Sequence, residues 1–202
     1  METVSAIILA GGNGERFHGK KQFIDFMGKP LWKHVYDTVV EALPNAQIVK
    51  VGVDIQGGST RTESVINGLK KLNPDTKRVI ILEAARPLVT IEQIQQLAED
   101  VHDSATFVMP LVNTVIMRNG NYLNRNDLYE LLTPQAFNYH LLLEAVDSEH
   151  FHDMTDETRI MFEYHNISPF FISTTENLVK VTYQRDLPII EAIYRQMQQG
   201  RR

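Results

Sequence analysis

The most informative absence in this sequence is cysteine, of which the 202 residues contain none. Without a thiol, the chain has no disulfide framework, no cysteine nucleophile and no cysteine-ligated zinc. Long apolar segments are missing too, since every hydrophobic run is far shorter than the ~20 residues that cross a bilayer. The start, Met1-Glu2-Thr3, lacks the basic residues of a secretory signal. These absences predict a cytoplasmic protein with no membrane partner.

Basic charge is also scarce, with 20 Lys and Arg against 25 Asp and Glu and a net charge of -5. This balance argues against nucleic acid or an anionic membrane as the main partner. It does not argue against a phosphorylated small molecule, which needs only a local cationic pocket. The composition is that of an ordinary globular protein, and the length allows one sizeable core. We therefore expect a single domain over residues 1–202.

A glycine-rich loop follows the first apolar run of the chain. Residues 6–9 have the pattern of a buried strand, and the loop after them contains Gly11, Gly12 and Gly14. Glycines let backbone N–H groups face an anion, and three cations follow them, namely Arg16, Lys20 and Lys21. Open α/β sheets bind ligands where such strands end. The loop therefore predicts a phosphate-binding site.

Three phosphate-loop patterns compete for this segment. A dinucleotide fingerprint needs a third glycine where Phe17 stands. A Walker loop fits from Gly14 to Lys20, but Lys21 occupies the position of the magnesium-binding hydroxyl. The third pattern is a glycine turn, an arginine, a Lys-Gln-Phe and a Gly-Lys-Pro, and all four parts occur here between residues 10 and 30. This third pattern resembles that of the nucleotidyltransferases that make nucleotide-activated sugars and polyols.

Strand and helix patterns alternate along the rest of the chain. Strands are predicted at 47–54, 78–82, 105–109, 170–173 and 178–182. Residues 132–137 read as the approach to a helix, and an Asn-Gly pair at 119–120 predicts a β-hairpin in an arm of about 112–125. The alternation predicts a Rossmann-like, three-layer α/β/α fold with a mostly parallel sheet.

Two further junctions carry groups that suit a polar ligand. A second glycine pair, at 57–58, leads into a helix N-terminus, and a central strand is followed by Glu83 and Arg86. A carboxylate suits a metal ion and a guanidinium suits a phosphate. An ordinary strand–helix turn and a surface ion pair explain the same residues equally well. The run His150-Phe151-His152-Asp153 also has metal-ligand chemistry, but a solvated loop explains it better.

Five motifs in this order resemble the 2-C-methyl-D-erythritol 4-phosphate cytidylyltransferase family, which includes ribitol-5-phosphate cytidylyltransferases. They are the opening loop with Lys21-Gln22-Phe23, Gly57 to Val65, Glu83 to Pro87, Leu132 to Gln135 and Asn177 to Thr182. Each motif is weak by itself, and the order of all five makes the resemblance specific. It extends over most of the chain.

The resemblance implies a Mg²⁺-dependent homodimeric enzyme that transfers CMP from CTP to a small polyol phosphate and releases pyrophosphate. It implies that three cations act on the triphosphate, namely Arg16, Lys21 and Lys180. The implied nucleotide contacts are Ala10, Gly11, Gly12, Gly14, Gly58, Ser59 and Ser64. The implied contacts of the polyol phosphate, some of them from the partner subunit, are Arg86, Thr114, Arg125 and Thr133. Glu83 is the implied metal ligand.

The chain departs from the family pattern at three places. Glu83 replaces the usual aspartate, Lys20 replaces the usual proline, and residues 44–58 have room for one strand where the family has a strand-helix-strand passage. These departures leave open a non-catalytic nucleotide-binding protein, and the Walker-like spacing leaves open an ATP-dependent kinase. The acceptor is also open between methylerythritol phosphate, ribitol phosphate and another small polyol phosphate.

Overall fold

A computed structural model describes residues 3–147, 154–174 and 178–200. The strands in these ranges are β1 (Val4–Leu9), β2 (Asp25–Phe26), β3 (Lys29–Pro30), β4 (Gln47–Val51), β5 (Arg78–Glu83), β6 (Ser104–Pro110), β7 (Val115–Ile116), β8 (Tyr122–Leu123), β9 (Tyr129–Asn138) and β10 (Phe170–Ser173). The helices are α1 (Leu31–Ala42), α2 (Arg61–Leu69), α3 (Ile91–Glu99), α4 (Tyr139–Asp147), α5 (Glu157–His165) and α6 (Leu187–Gly200). The run at 150–153 lies outside the described residues.

The central sheet has six strands in the order β10-β6-β9-β5-β1-β4. β1 runs parallel to both β4 and β5, and β10 runs parallel to β6. β9 is antiparallel to both of its neighbours, β5 and β6. The carboxyl ends of β1 and β5 therefore meet at one edge of the sheet, where the glycine loop and Glu83 follow them. The predicted, mostly parallel α/β fold is confirmed.

Helices cover both faces of this sheet because the apolar side chains of its strands alternate. Along β1, Ala6 and Ile8 pack with α1 and α3, while Ile7 packs with α2, α4 and α5 on the other face. Along β5, Ile80 and Ile81 divide between the same two cores. A strand buried on both faces reads as a continuous apolar run, as both of these do in the sequence. Three layers result.

The prediction for residues 132–137 was wrong, because they form the buried half of strand β9. The register between β6 and β9 shifts at Thr106/Phe107, so Thr133 and Pro134 are left out of the pairing. Proline cannot donate to a sheet and is accepted at such a bulge. The Thr-Pro pair therefore hid a central strand from the sequence pattern.

Residues 178–182 also differ from expectation, since they form no strand in the described parts of the chain. The Val181 N–H donates to the Ala85 carbonyl oxygen at 2.8 Å, which holds the segment beside the loop after β5. Arg86 donates to the Leu178 carbonyl oxygen and fastens the other end of the segment. One backbone hydrogen bond and one side-chain donor therefore take the place of the neighbouring strand that the pattern predicted.

The hairpin of the arm is present as predicted. β7 and β8 pair in antiparallel fashion, and Gly120 in the turn has a φ of +92°. Its apolar side chains are exposed, with Tyr122 at 74% and Ile116 at 52%. No helix in the described ranges combines the length and apolar character needed to cross a bilayer.

Candidate active site

A cavity of about 270 Å³ lies where β1 and β5 end. The glycine loop forms one wall, the N-terminus of α2 forms another, and the segment that carries Lys180 closes a third. The residues that line it are Leu9, Ala10, Gly11, Gly12, Asn13, Lys21, Gln22, Gly58, Ser59, Thr60, Arg61, Ser64, Glu83, Ala84, Ala85 and Lys180. The opening loop, the second glycine turn and Glu83 therefore belong to one site.

Two residues set the shape of the opening loop. The buried Gln22 donates from Nε2 to the Gly12 carbonyl oxygen at 3.0 Å. Gly14 has a φ of +68°, and a Cβ there would lie 1.8 Å from the Gly19 carbonyl oxygen. Only glycine fits that position. Gly11 and Gly12 line the cavity, whereas Gly14 does not. Gly14 instead allows the backbone of the loop to turn at that position.

The second glycine turn is organised by side chains of α2. Ser64 Oγ accepts the Gly58 N–H at 3.0 Å and donates to the Thr60 carbonyl oxygen at 3.1 Å. The Glu63 carboxylate accepts both the backbone N–H and the hydroxyl of Ser59, at 2.6 and 2.7 Å. Ser64 therefore fixes the turn in addition to lining the cavity.

Lys21 lies among other cations in the cavity. Its ammonium donates to the Val181 carbonyl oxygen at 2.6 Å. Burial lowers the pKa of Lys21 to about 8, with further lowering by Lys180 and Arg16 that Glu83 only partly offsets. An anion placed here would relieve this crowding of positive charge.

Glu83 provides the carboxylate of the cavity lining. It forms an ion pair with Lys180 through Oε2, and its Oε1 lies 3.7 Å from Arg61 Nε. Burial alone would raise the pKa of Glu83, but Lys180, Arg61 and Arg86 hold it below its usual value. Among the described residues, no group of three or more His, Asp or Glu side chains is placed to hold a metal ion. Among the described residues that line the cavity, Glu83 is therefore the one carboxylate that could contact a metal ion.

The sequence reading missed the role of Arg61, which lines the cavity and pairs with Glu157 at the start of α5. Glu157 is fully buried. Burial lowers the pKa of Arg61, but Glu157 and Glu83 raise it overall, so the guanidinium stays charged. The pair joins the N-termini of α2 and α5. Arg61 lies within the second glycine motif, but the pattern around Glu157 indicated only a helix start.

Four residues were expected to hold the polyol phosphate, and the structure brings two of them together. Arg86 Nε donates to Thr133 Oγ1 at 2.9 Å, and both side chains are buried beside the cavity rather than in its lining. Thr114 and Arg125 are exposed on the arm, where Arg125 donates to the Val112 carbonyl oxygen. Among the described residues, no hydrogen bond or ion pair joins Thr114 or Arg125 to Arg86 or Thr133.

A family model, "IspD: 2-C-methyl-D-erythritol 4-phosphate cytidylyltransferase", matches residues 40–196. The chain belongs to this family. Membership places it among the nucleotidyltransferase enzymes, as the resemblance of the five motifs indicated. The match begins at residue 40, so it does not depend on the opening glycine loop, which resembles the family independently.

Similarity to individual proteins of this cytidylyltransferase family agrees with the match to the family model. The chain is 30% identical over 237 residues to the 2-C-methyl-D-erythritol 4-phosphate cytidylyltransferase of Pelotomaculum thermopropionicum, covering 100% of this chain and 98% of that protein. It is 31% identical over 211 residues to the "Bifunctional enzyme IspD/IspF" of Granulibacter bethesdensis. That match covers 93% of this chain but only 55% of the bifunctional protein, so this chain spans about half of that relative.

Solved structures support the fold. The 4-diphosphocytidyl-2C-methyl-D-erythritol synthase of Anaerococcus prevotii superposes with a TM-score of 0.79 at 23% identity, and the match covers 96% of both chains. The bifunctional IspDF of Campylobacter jejuni gives a TM-score of 0.78 at 26% identity, covering 92% of this chain and 53% of that one.

The kinase alternative loses its structural basis. A Walker loop leads into a helix that follows it directly, whereas Glu15–Phe17 and Lys21–Phe23 form only short 3₁₀ turns. Lys20, the lysine of the Walker spacing, is exposed, and the next residue, Lys21, lines the cavity in its place.

Proposed function

We propose that this chain transfers CMP from CTP to 2-C-methyl-D-erythritol 4-phosphate and releases pyrophosphate. The observation that carries the proposal is the presence of Lys21, Lys180 and the glycine loop in one cavity. Family membership and the names of its relatives support the choice of substrates. Because both proposed substrates are charged metabolites, we also propose that the enzyme works in the cytoplasm.

The chemistry of this reaction suits a site built from cations. A phosphate monoester has a second pKa of about 6 and is largely dianionic near neutrality, so its attacking oxygen needs no general base. The reaction instead needs alignment, and compensation of the negative charge that grows on the α-phosphoryl group. We assign that compensation to Lys21 and Lys180, with Arg16 on the exposed outer part of the loop meeting the leaving phosphates.

The two lysines hold other acceptors before the nucleotide arrives. Lys21 donates to the Val181 carbonyl oxygen, and Lys180 pairs with Glu83. A triphosphate in the cavity offers both lysines stronger, charged acceptors. In the free protein, both lysine side chains therefore already line the cavity that is proposed to hold the triphosphate.

The cavity contains a carboxylate that suits Mg²⁺, because Glu83 lines it together with Lys21 and Lys180. Mg²⁺ prefers oxygen ligands and is often bound by one or two carboxylates together with substrate phosphates. We propose Glu83 as the protein ligand of a magnesium ion, which would supply further positive charge to the triphosphate. Glu83 would then exchange its ion pair with Lys180 for the metal.

We propose that the arm binds a second copy of the chain. Exposed apolar side chains at Val112, Ile116 and Tyr122 have 52–76% of their surface open to solvent. A two-stranded hairpin is too small to bury such side chains by itself. A symmetric homodimer would cover them, and would bring Thr114 and Arg125 of one subunit towards the Arg86–Thr133 pair of the other.

Pyrophosphate release tests the proposed reaction. Purified protein with Mg²⁺ should release pyrophosphate from CTP in the presence of 2-C-methyl-D-erythritol 4-phosphate, and ribitol 5-phosphate should be assayed in parallel. ATP, GTP and UTP serve as alternative nucleotides. Lys21→Ala should lower kcat by about 10²–10³, because one charge-assisted contact to the transition state is lost. If neither acceptor supports turnover, the proposal is refuted. If ribitol 5-phosphate supports turnover and 2-C-methyl-D-erythritol 4-phosphate does not, the proposed substrate must be changed.

A further inference from the structure

The turn after β4 packs against the outer side of the opening loop. Gly52 has a φ of +94°, and a Cβ there would lie 2.5 Å from the carbonyl carbon of Ala10 and 2.5 Å from the nitrogen of Gly11. The neighbouring Val51 carbonyl oxygen accepts the Ala10 N–H at 2.7 Å. Ala10 and Gly11 line the cavity, and Gly52 is not part of the lining. The peptide bond between Ala10 and Gly11 therefore lies against the bare Cα of Gly52.

The turn that carries Gly52 is held firmly. The Gly52 N–H donates to the Ile55 carbonyl oxygen at 2.7 Å, and the Asp54 N–H donates to the Lys50 carbonyl oxygen at 2.8 Å. The Asp54 carboxylate also forms an ion pair with Lys50 at 2.9 Å. Lys50 in turn lies over the ring of Tyr36 on α1, 4.6 Å from its centroid. The turn is therefore tied to α1 and resists displacement away from the loop.

The second glycine turn approaches Gly11 closely too. A Cβ on Gly11 would lie 3.1 Å from the Cα of Gly57. Gly11 thus contacts both turns, one through Gly52 and one through Gly57. Only four residues lie between these two glycines, because the passage from residue 44 to residue 58 contains a single strand. The short passage brings both backbone contacts to the same peptide of the loop.

We propose that Gly52 is a positioning residue for the nucleotide. It sets how far the Ala10–Gly11 peptide extends into the cavity, and thereby the affinity for the nucleoside part of CTP. The phosphates are assigned instead to Lys21, Lys180 and the part of the loop beyond Gly11, and none of the atoms nearest to a Cβ built on Gly52 belongs to these residues. This inference rests on the proposed function, since it takes a cytidine nucleotide as the ligand.

Gly52→Ala tests this inference, with Gly28→Ala as its matched control. Gly28 has a similar φ of +87°, but nothing lies within 4 Å of a Cβ built there. Both variants put the same methyl group on a left-handed backbone, and only the first displaces the loop. CMP carries the nucleoside with a single phosphate and tripolyphosphate carries no nucleoside, so calorimetric titrations with these two ligands distinguish the nucleoside contacts from the phosphate contacts. Gly52→Ala should weaken CMP binding at least ~10-fold and tripolyphosphate binding less than ~2-fold, and Gly28→Ala should change neither.

Asp54→Ala provides a second variant in case Gly52→Ala does not fold. It loosens the turn without adding volume, and should also weaken CMP more than tripolyphosphate. Equal weakening of both ligands, or the same loss in Gly28→Ala, would overturn the inference. Wild-type protein that binds no cytidine nucleotide would refute the proposed function by itself. Amide exchange then still tests the positioning role, because it should accelerate at Ala10 and Gly11 in Gly52→Ala and stay unchanged in Gly28→Ala.

Discussion

Lys21 should take up a proton when a nucleotide binds. Burial and the neighbouring cations lower its pKa to about 8, so about half of the Lys21 side chains are neutral at pH 8 in the free protein. A bound triphosphate places opposite charge beside the amine and favours the ammonium form. If Lys21 is fully charged in the complex, CTP binding should consume ~0.1 proton at pH 7, ~0.5 at pH 8 and ~0.9 at pH 9.

The affinity for CTP should change with the same equilibrium. If only the ammonium form binds tightly, the apparent Kd at pH 8 is ~2-fold above its value at low pH, and at pH 9 it is ~11-fold above. Isothermal titration calorimetry in buffers of different ionisation enthalpy measures both the proton uptake and the Kd. Phosphate groups with a pKa of about 6 are already ionised above pH 7.5, so they add little to the signal.

Lys21→Arg is the matched variant, because a guanidinium stays charged over this whole range. It should bind CTP with almost no proton uptake and no loss of affinity between pH 7.5 and 9. Lys20→Ala removes the exposed neighbouring charge and should keep the wild-type pH dependence. The assignment of Lys21 to the phosphate site would be refuted if the wild type took up no proton on binding CTP at pH 8. It would also be refuted if the wild type and Lys21→Arg took up the same number of protons.

Three further outcomes are expected. Glu83→Gln should need more magnesium for half-maximal activity, and an unchanged magnesium dependence in the folded variant would remove Glu83 from the proposed metal site. Glu157→Gln should lower the free energy of unfolding in urea by about 3 kcal/mol, because Arg61 loses its buried partner. Glu163→Gln, in an exposed pair, should cost less than about 1 kcal/mol, and equal losses would contradict the importance of burial. Light scattering should give the mass of two chains, and a monomer at micromolar concentration would refute the role of the arm.

The local patterns of this sequence predicted most of the fold. Buried strands such as β1 and β5 are continuous apolar runs, and the Asn-Gly pair correctly indicated the hairpin. The failures lie where distant residues decide the structure. Strand β9 contains a Thr-Pro bulge that breaks its pattern, and residues 178–182 are held by Arg86 and the Ala85 carbonyl oxygen rather than by a neighbouring strand.

The cavity was predictable in part for the same reason. Glycine loops and the charges beside them are local features, so Gly11, Gly58 and Lys21 could be proposed from the sequence. The partner of Arg61 could not, because Glu157 is 96 residues away and its pattern is that of any helix start. The packing of Gly52 against the opening loop was also invisible, since a contact between two backbones leaves no side-chain signature.

The segment at 178–182 is attached to the protein by some of the same groups that are proposed to bind substrates. Lys21 holds the Val181 carbonyl oxygen, Arg86 holds that of Leu178, and Lys180 is held by Glu83. A ligand that recruits Lys21 and Lys180 competes with two of these three attachments. Occupancy of the cavity and local opening of this segment are therefore thermodynamically linked. By reciprocity, a change that weakens the contacts of Lys21 with Val181 or of Lys180 with Glu83 alters the affinity for the ligand by the same factor by which the ligand alters those contacts.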